Sequence, residues 1–357
     1  MRQPILQSLA HPAAFKEQLD SLIHCSSRVK LSSLYLGSKI DKGVILVDGQ
    51  RSKREMPLHP NMYYYTTNKY RRYIPFQLNE IGELYHCKLN VFDKQVILTG
   101  ANLSHDYYTN RQDRYLLVNN HHFADMMDEL LAFMVQTNAF QKDIKRVEPL
   151  NQKGIEQIQK WAKFQESKLI STFNNKQSGT HLIPVLNWPR LDIKFNILPF
   201  LRTHFQDHLF TLSTAYFNPS PIVKDMIKNR ATVIAPSIRT HGFYNGKGLK
   251  KYIPLLYQHH VNQNKILTYD RTGYTYHAKG LWIKDKDYSV TVIGSNNFGA
   301  RSAKDVELDF IILSNEQNIV QQLDTELADI LQYCAPRNII KLPLWLQLWC
   351  RVASPIL

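Results

Sequence analysis

Two short segments of the chain place an imidazole and an ammonium two residues apart: His86-Cys87-Lys88 and His277-Ala278-Lys279. In extended chain, residues two apart project to the same side, so each pair is presented together. A second strand follows each pair. It carries Gly100 and Asn102 in the first copy, and Gly294, Ser295 and Asn297 in the second. The glycine is read as a point where backbone approaches a ligand, and the asparagine and serine as donors to it. An acid comes next, Asp113 or Glu307, placed to hold the imidazole of its own half in one tautomer. Each half thus supplies an imidazole, an ammonium, an amide and a carboxylate: His86/Lys88/Asn102/Asp113 and His277/Lys279/Asn297/Glu307. Face to face, such halves clamp a phosphate between a nucleophile and a proton donor. A lone H-x-K is usually a surface pair; two copies with the same residue types downstream in the same order point to a built site.

Hydrophobic patterning predicts the elements that position these residues. Buried strands are expected over Val29–Leu36, Gly43–Asp48, Leu84–Asp93, Gln95–Gly100 and Arg114–Asn119, then a helix over Phe123–Thr137. A Gln- and Lys-rich helix over Leu150–Asn175 bridges to a second half. There, strands are predicted at Leu209–Tyr216, Thr232–Ala235, His277–Ile283, Ser289–Gly294 and Val306–Leu313. Helices are expected at Pro221–Asn229, Lys247–Gln258 and Glu316–Tyr333. The alternation predicts an α/β fold of two duplicated halves, residues 1–149 and 150–357, each a mixed β-sheet flanked by helices with the site between them.

The 357 residues carry 44 Lys and Arg against 30 Asp and Glu, a net charge of +14. That surplus implies an anionic partner, nucleic acid or an anionic phospholipid surface, without choosing between them. The four cysteines (Cys25, Cys87, Cys334, Cys350) have no metal-ligand spacing, so no metal and no cofactor is expected. No stretch reaches the roughly 18 apolar residues of a membrane span. The apolar C-terminus, Leu342–Leu357, has Trp345 and Trp349 beside Lys341 and Arg351; it reads equally as an interfacial helix or a core-packing one. Tyr63–Tyr65 with Arg71 and Arg72 reads as a basic aromatic rim or a solvated loop, and Gly246-Lys247-Gly248 as an anion-holding or ordinary helix start.

At these residues the chain resembles the phospholipase D superfamily, whose motif is H-x-K-x4-D-x6-G-[SG]-x-N. The first copy keeps the aspartate as Asp93, which the resemblance adds to the catalytic set; Asn102 arrives one residue early. In the second copy Lys284 stands at the aspartate position, and Asp287 restores the spacing to Gly294. The stretches GANLSHDYYTNRQDRY (100–115) and TYHAKGLWIKDKDYSVTVIGSNNFGARS (275–302) are similar to the eukaryotic mitochondrial phosphatidylglycerophosphate synthase family, and weaker likeness runs over nearly the whole chain.

That resemblance implies transfer of a phosphatidyl group from CDP-diacylglycerol to glycerol 3-phosphate, releasing CMP through a phosphohistidine, at the entry to phosphatidylglycerol and cardiolipin synthesis. It assigns His86 as nucleophile and His277 as acid/base, although the residue types allow the reverse. Arg111 and Arg114 suit the acceptor's phosphate, with pairing of Arg111 to Asp106 or Asp113 as the alternative. The resemblance also implies a peripheral protein of the mitochondrial inner membrane, bound to an anionic surface, with nucleic acid disfavoured; no presequence is visible. The competing readings are a phosphodiesterase of the same superfamily and an inactive membrane-binding variant. The last is motivated by the first two strands, which are joined by only GSKIDK where the family carries a crossover helix. Either those strands form an antiparallel hairpin, or a helix near residues 37–43 is missing and a sheet face is exposed.

Overall fold

The computed structural model of the chain describes residues 5–52, 61–67, 83–144, 147–175, 178–195, 197–205, 207–219, 221–228, 231–247, 251–259, 266–285, 288–299, 301–336, 343–346 and 348. Two large mixed sheets form the frame. The first runs, in spatial order, Ile5–Ser8, Tyr115–Asn119, Gln95–Thr99, Leu89–Phe92, Val29–Ser33, Val44–Asp48, Met62–Tyr65 and Phe140–Gln141. The second begins with the two-residue strand Ile193–Lys194. It then runs Thr180–Trp188, Glu307–Ser314, Ser289–Gly294, Gly280–Lys284, Phe210–Ser213, Ala231–Pro236, Ile266–Tyr269 and Cys334–Pro336.

After that extra strand, the second sheet repeats the first strand for strand. In both, four antiparallel strands lead into a parallel set of three closed by an antiparallel edge. The duplication inferred from the motifs therefore extends through the whole scaffold.

The short connection after Val29–Ser33 does not make a hairpin. Val29–Ser33 and Val44–Asp48 are parallel, Leu31 lying opposite Ile45. The equivalent crossover in the second half holds the helix Pro221–Ile227. In the first half, the described chain from Leu34 to Gly43 has no helix, only the strand Leu36–Gly37 paired with Leu103–Ser104. The predicted exposed face is nevertheless absent: Leu31, Ile45 and Val47 are fully buried. They are covered by the upstream helix Pro12–Cys25 and by Leu36 and Ile40 of the connection itself. That helix starts where His11 accepts the Ala14 N–H, with Pro12 in the first turn. It buries Phe15, Leu19 and Leu22, one stripe at helical spacing.

A shared core joins the halves. The helix His121–Gln136 buries Phe123, Met127, Leu130 and Met134 together with Trp188, Phe310 and Ile312 of the second sheet. Trp188 closes this core at its polar end by donating its indole N–H to Tyr65 Oη at 3.2 Å. Thr180–Trp188 was not read from the sequence because Pro184 sits at its centre. Proline is tolerated there because the partner strand on the outer side pairs only Asn187 and Trp188.

Candidate active site

The H-x-K segments are extended, but the regular strands begin after them, at Leu89 and Gly280. Each segment instead hydrogen-bonds across to the other half. The His86 N–H donates to Val306 O at 2.9 Å, and the His277 N–H to Gln112 O at 2.8 Å. Val306 and Gln112 are the residues just before the two carboxylates, so this reciprocal bridging sets each acid against the opposite histidine. His86 Nδ1 lies 2.9 Å from Glu307 Oε2, and His277 Nδ1 lies 2.6 Å from Asp113 Oδ2. The orienting roles of Asp113 and Glu307 fit this geometry, but the pairing within each half does not; the halves exchange acids. Gly100 makes the close approach possible. A Cβ there would stand 2.9 Å from Gly294 O, 2.9 Å from Lys279 Nζ and 2.7 Å from Asp113 Oδ1. This glycine therefore admits the other half, where the sequence had suggested a ligand.

Lys88, Lys279, Asp113 and Glu307 are all buried. Lys279 Nζ donates to Gly100 O at 3.1 Å, to Asp113 Oδ2 at 3.3 Å and to His277 O at 3.0 Å. It also lies 2.7 Å from His277 Nδ1. One Nδ1 cannot donate to Asp113 and accept from Lys279 at once. Lys279 stands beside the Asp113 carboxylate, which accepts the hydrogen bond from the ring Nδ1–H and so leaves Nε2 as the free base. Burial, then the Lys279, Arg111 and Lys88 charges, hold His277 well below its ordinary value. Burial and Lys88 depress His86 in the same way. Burial lowers Lys88 to about 7 and raises Glu307 to about 7, against the pull of Lys88.

Between the halves lies a cavity of about 260 Å³ lined by His86, His277, Asn102, Asn297, Arg111 and Tyr107, among others. Asn102 is fixed: its Oδ1 accepts from the Leu34 N–H at 3.3 Å and its Nδ2 donates to Tyr107 Oη at 3.2 Å. Asn297 Oδ1 is buried with no partner among the described residues. Ser295 is not in the lining; its hydroxyl donates to Glu307 from behind, so it braces the acid. Asp93 is not brought to the site. It sits in the exposed hairpin turn, where its carboxylate accepts the Ser27 and Arg28 N–H groups. Asp287, Arg71, Arg72 and Gly248 lie outside the described residues. Among the described residues, no group of three His, Cys, Asp or Glu is placed to hold a metal ion.

The two arginines part company. Arg111 faces the cavity, its Nε donating to Thr275 Oγ1 at 3.2 Å, and it meets Asp106 at 3.3 Å at the solvent edge. Arg114 is buried and cannot reach an acceptor. Its fork grips Glu326 at 2.9 and 2.7 Å, donates to Val292 O at 2.7 Å and lies 3.9 Å over Trp282. It ties the first half to the second, and Gly280 makes room for its guanidinium. Arg114→Ala is expected to cost about 3–5 kcal/mol of stability, because Glu326 is left buried without its partner. A lowered thermal or urea midpoint checks this.

Tyr107 went unread in the sequence. In the short helix His105–Thr109, Tyr108 packs beside Phe15 while Tyr107 sets its hydroxyl 3.1 Å from His277 Nε2. Nothing in the spacing distinguishes two adjacent tyrosines. The histidines thus differ: His277 Nε2 meets a phenol, whereas His86 Nε2 has no hydrogen-bond partner among the described residues, and the His86 side chain keeps 12% exposure.

No protein-family profile matches the chain. A solved phosphatidylserine synthase from Haemophilus influenzae Rd KW20 superposes with a TM-score of 0.73, covering 99% of this chain and 95% of that one at 17% identity. The duplicated sheets with facing H-x-K segments therefore define a phospholipase-D-like fold. Within that class the chain is homologous to the CDP-diacylglycerol–glycerol-3-phosphate 3-phosphatidyltransferases. It is 27% identical to that of Saccharomyces pastorianus over 91% of this chain and 81% of the relative. It is 30% identical to the mitochondrial protein of Gallus gallus over 71% and 57%, and 28% identical to that of Homo sapiens over 72% and 56%. The yeast alignment is 423 residues long, more than the 357 of the chain, so that relative carries segments this chain lacks.

Proposed function

We propose that this chain transfers the phosphatidyl group of CDP-diacylglycerol to glycerol 3-phosphate, and does so on an anionic membrane surface in the mitochondrion, as a peripheral protein of the inner membrane. The observation that carries the reading is the pair of histidines facing one cavity, each with its Nδ1 on a buried acid of the other half. The mitochondrial names of the chicken, hamster, mouse and human relatives support the location. No helix among the described residues is long and apolar enough to cross a membrane.

His86 Nε2, neutral and open, attacks the phosphorus that bears diacylglycerol; the bond to the CMP phosphate breaks and phosphatidyl-His86 forms. A diphosphate entering between the histidines adds negative charge there, which favours protonated imidazole. His277 then gives its proton to departing CMP. Left neutral, it takes the proton of the glycerol 3-phosphate hydroxyl, whose oxygen attacks phosphorus and releases His86. Asn102 and Asn297 meet the phosphoryl oxygens from the cavity lining, and Lys88 and Lys279, buried behind the histidines, add positive charge there without lining the cavity. Arg111 holds the acceptor's phosphate, its contact with half-exposed Asp106 being weak enough to yield.

Purified protein given CDP-diacylglycerol continues to release CMP beyond one equivalent per site only when glycerol 3-phosphate is added; sustained release at the same rate without it would replace this reading with hydrolysis. Arg111→Gln raises the KM for glycerol 3-phosphate by about 10–100-fold, the loss of one charge-assisted contact, and leaves the KM for CDP-diacylglycerol within a few-fold.

A further inference from the structure

The described end of the chain carries an apolar face beside the cavity. Leu344, Trp345 and Leu348 are 76%, 55% and 56% exposed, whereas Leu346 between them is 1% exposed. At about 100° per helical residue, 344, 345 and 348 share one side and 346 points to the other. Leu346 is pinned against Leu256, and the Trp345 ring meets Tyr252 edge-on at 5.5 Å. Leu256 belongs to the helix Ile253–His259, and that helix contributes Ile253 and Tyr257 to the cavity holding both histidines. One helix thus connects the exposed apolar face to the lining of the cavity.

We propose that Leu344, Trp345 and Leu348 insert into the interfacial layer of an anionic bilayer and hold the cavity mouth against it, so that the lipid donor enters without leaving the membrane. Trp beside lysine suits such an interface. Lys251 is exposed next to this face, 5.0 Å over the Tyr252 ring, Lys247 is exposed nearby in sequence, and the chain carries +14 overall. A second copy of so basic a chain brings like charge to the same face, whereas anionic headgroups bring the opposite one. This rests on the reading of the donor as a lipid.

The test uses vesicles of equal parts phosphatidylcholine and phosphatidylglycerol, with binding read by co-sedimentation and turnover not required. Changing Leu344, Trp345 and Leu348 together to serine lowers vesicle affinity by at least ~100-fold. Turnover of a short-chain, water-soluble CDP-diacylglycerol stays within about two-fold, which also reports an intact fold. Undiminished vesicle binding by this variant overturns the proposal. Should the triple variant fail to fold, Trp345→Phe decides: quenching of tryptophan emission by brominated lipid falls in that variant if docking is as stated, and is unchanged if it is not. Absence of CMP from the wild-type protein with either substrate would remove the transferase reading, and the binding measurements would still judge the docking face.

Discussion

His86→Asn is expected to lower glycerol 3-phosphate-dependent CMP release by about 10⁴-fold or more while leaving the unfolding midpoint close to wild type. The magnitude follows from removing the nucleophile, since the remaining cations and amides bind phosphate but form no covalent intermediate. Asparagine keeps a polar group opposite Glu307 and fills much of the space, so the buried acid is not abandoned in an apolar pocket. His277→Asn is expected to be nearly as damaging overall but to fail at a different step. CMP leaves as a phosphate monoester, a weak base that needs little help. The glycerol 3-phosphate hydroxyl is a much poorer acid and depends on His277 to take its proton.

The second large effect concerns the exchanged carboxylates. Glu307→Gln should cost on the order of 10³–10⁴ in turnover, by allowing the wrong tautomer of the imidazole it faces. The step it slows identifies its partner. Because Glu307 faces His86, the variant slows the first-turnover burst of CMP; because Asp113 faces His277, Asp113→Asn spares the burst and slows transfer to glycerol 3-phosphate. Rapid-quench measurement of CMP and lipid product separates the two. Pairing within each half would give the opposite assignment.

That the two histidines and two asparagines come together was legible in the sequence, because extended chain and hairpin order fix which side chains accompany one another; that Lys88 and Lys279 lie buried outside the cavity lining was not. Which acid serves which histidine was not. That depends on the bridges His86 to Val306 and His277 to Gln112, contacts between halves that no local periodicity encodes. Arg114 was misread because a guanidinium suited to phosphate is equally suited to buried Glu326, and only burial tells them apart. Asp93 kept the motif's spacing, yet a residue at a hairpin tip points away from a site built at the other end of the strand. The missing crossover helix was visible as a short connection. Its consequence was not, since the helix that covers the sheet, Pro12–Cys25, lies upstream of the gap.

The most direct test of the two-histidine account is a single turnover of His277→Asn with CDP-diacylglycerol labelled at the diacylglycerol-linked phosphorus, followed by peptide mapping. The account predicts one equivalent of CMP and a persistent, acid-labile phosphatidyl adduct on His86, with no such adduct in His86→Asn. An adduct on His277 in the His86→Asn protein, or full transfer activity in His277→Asn with no adduct in either, would contradict it.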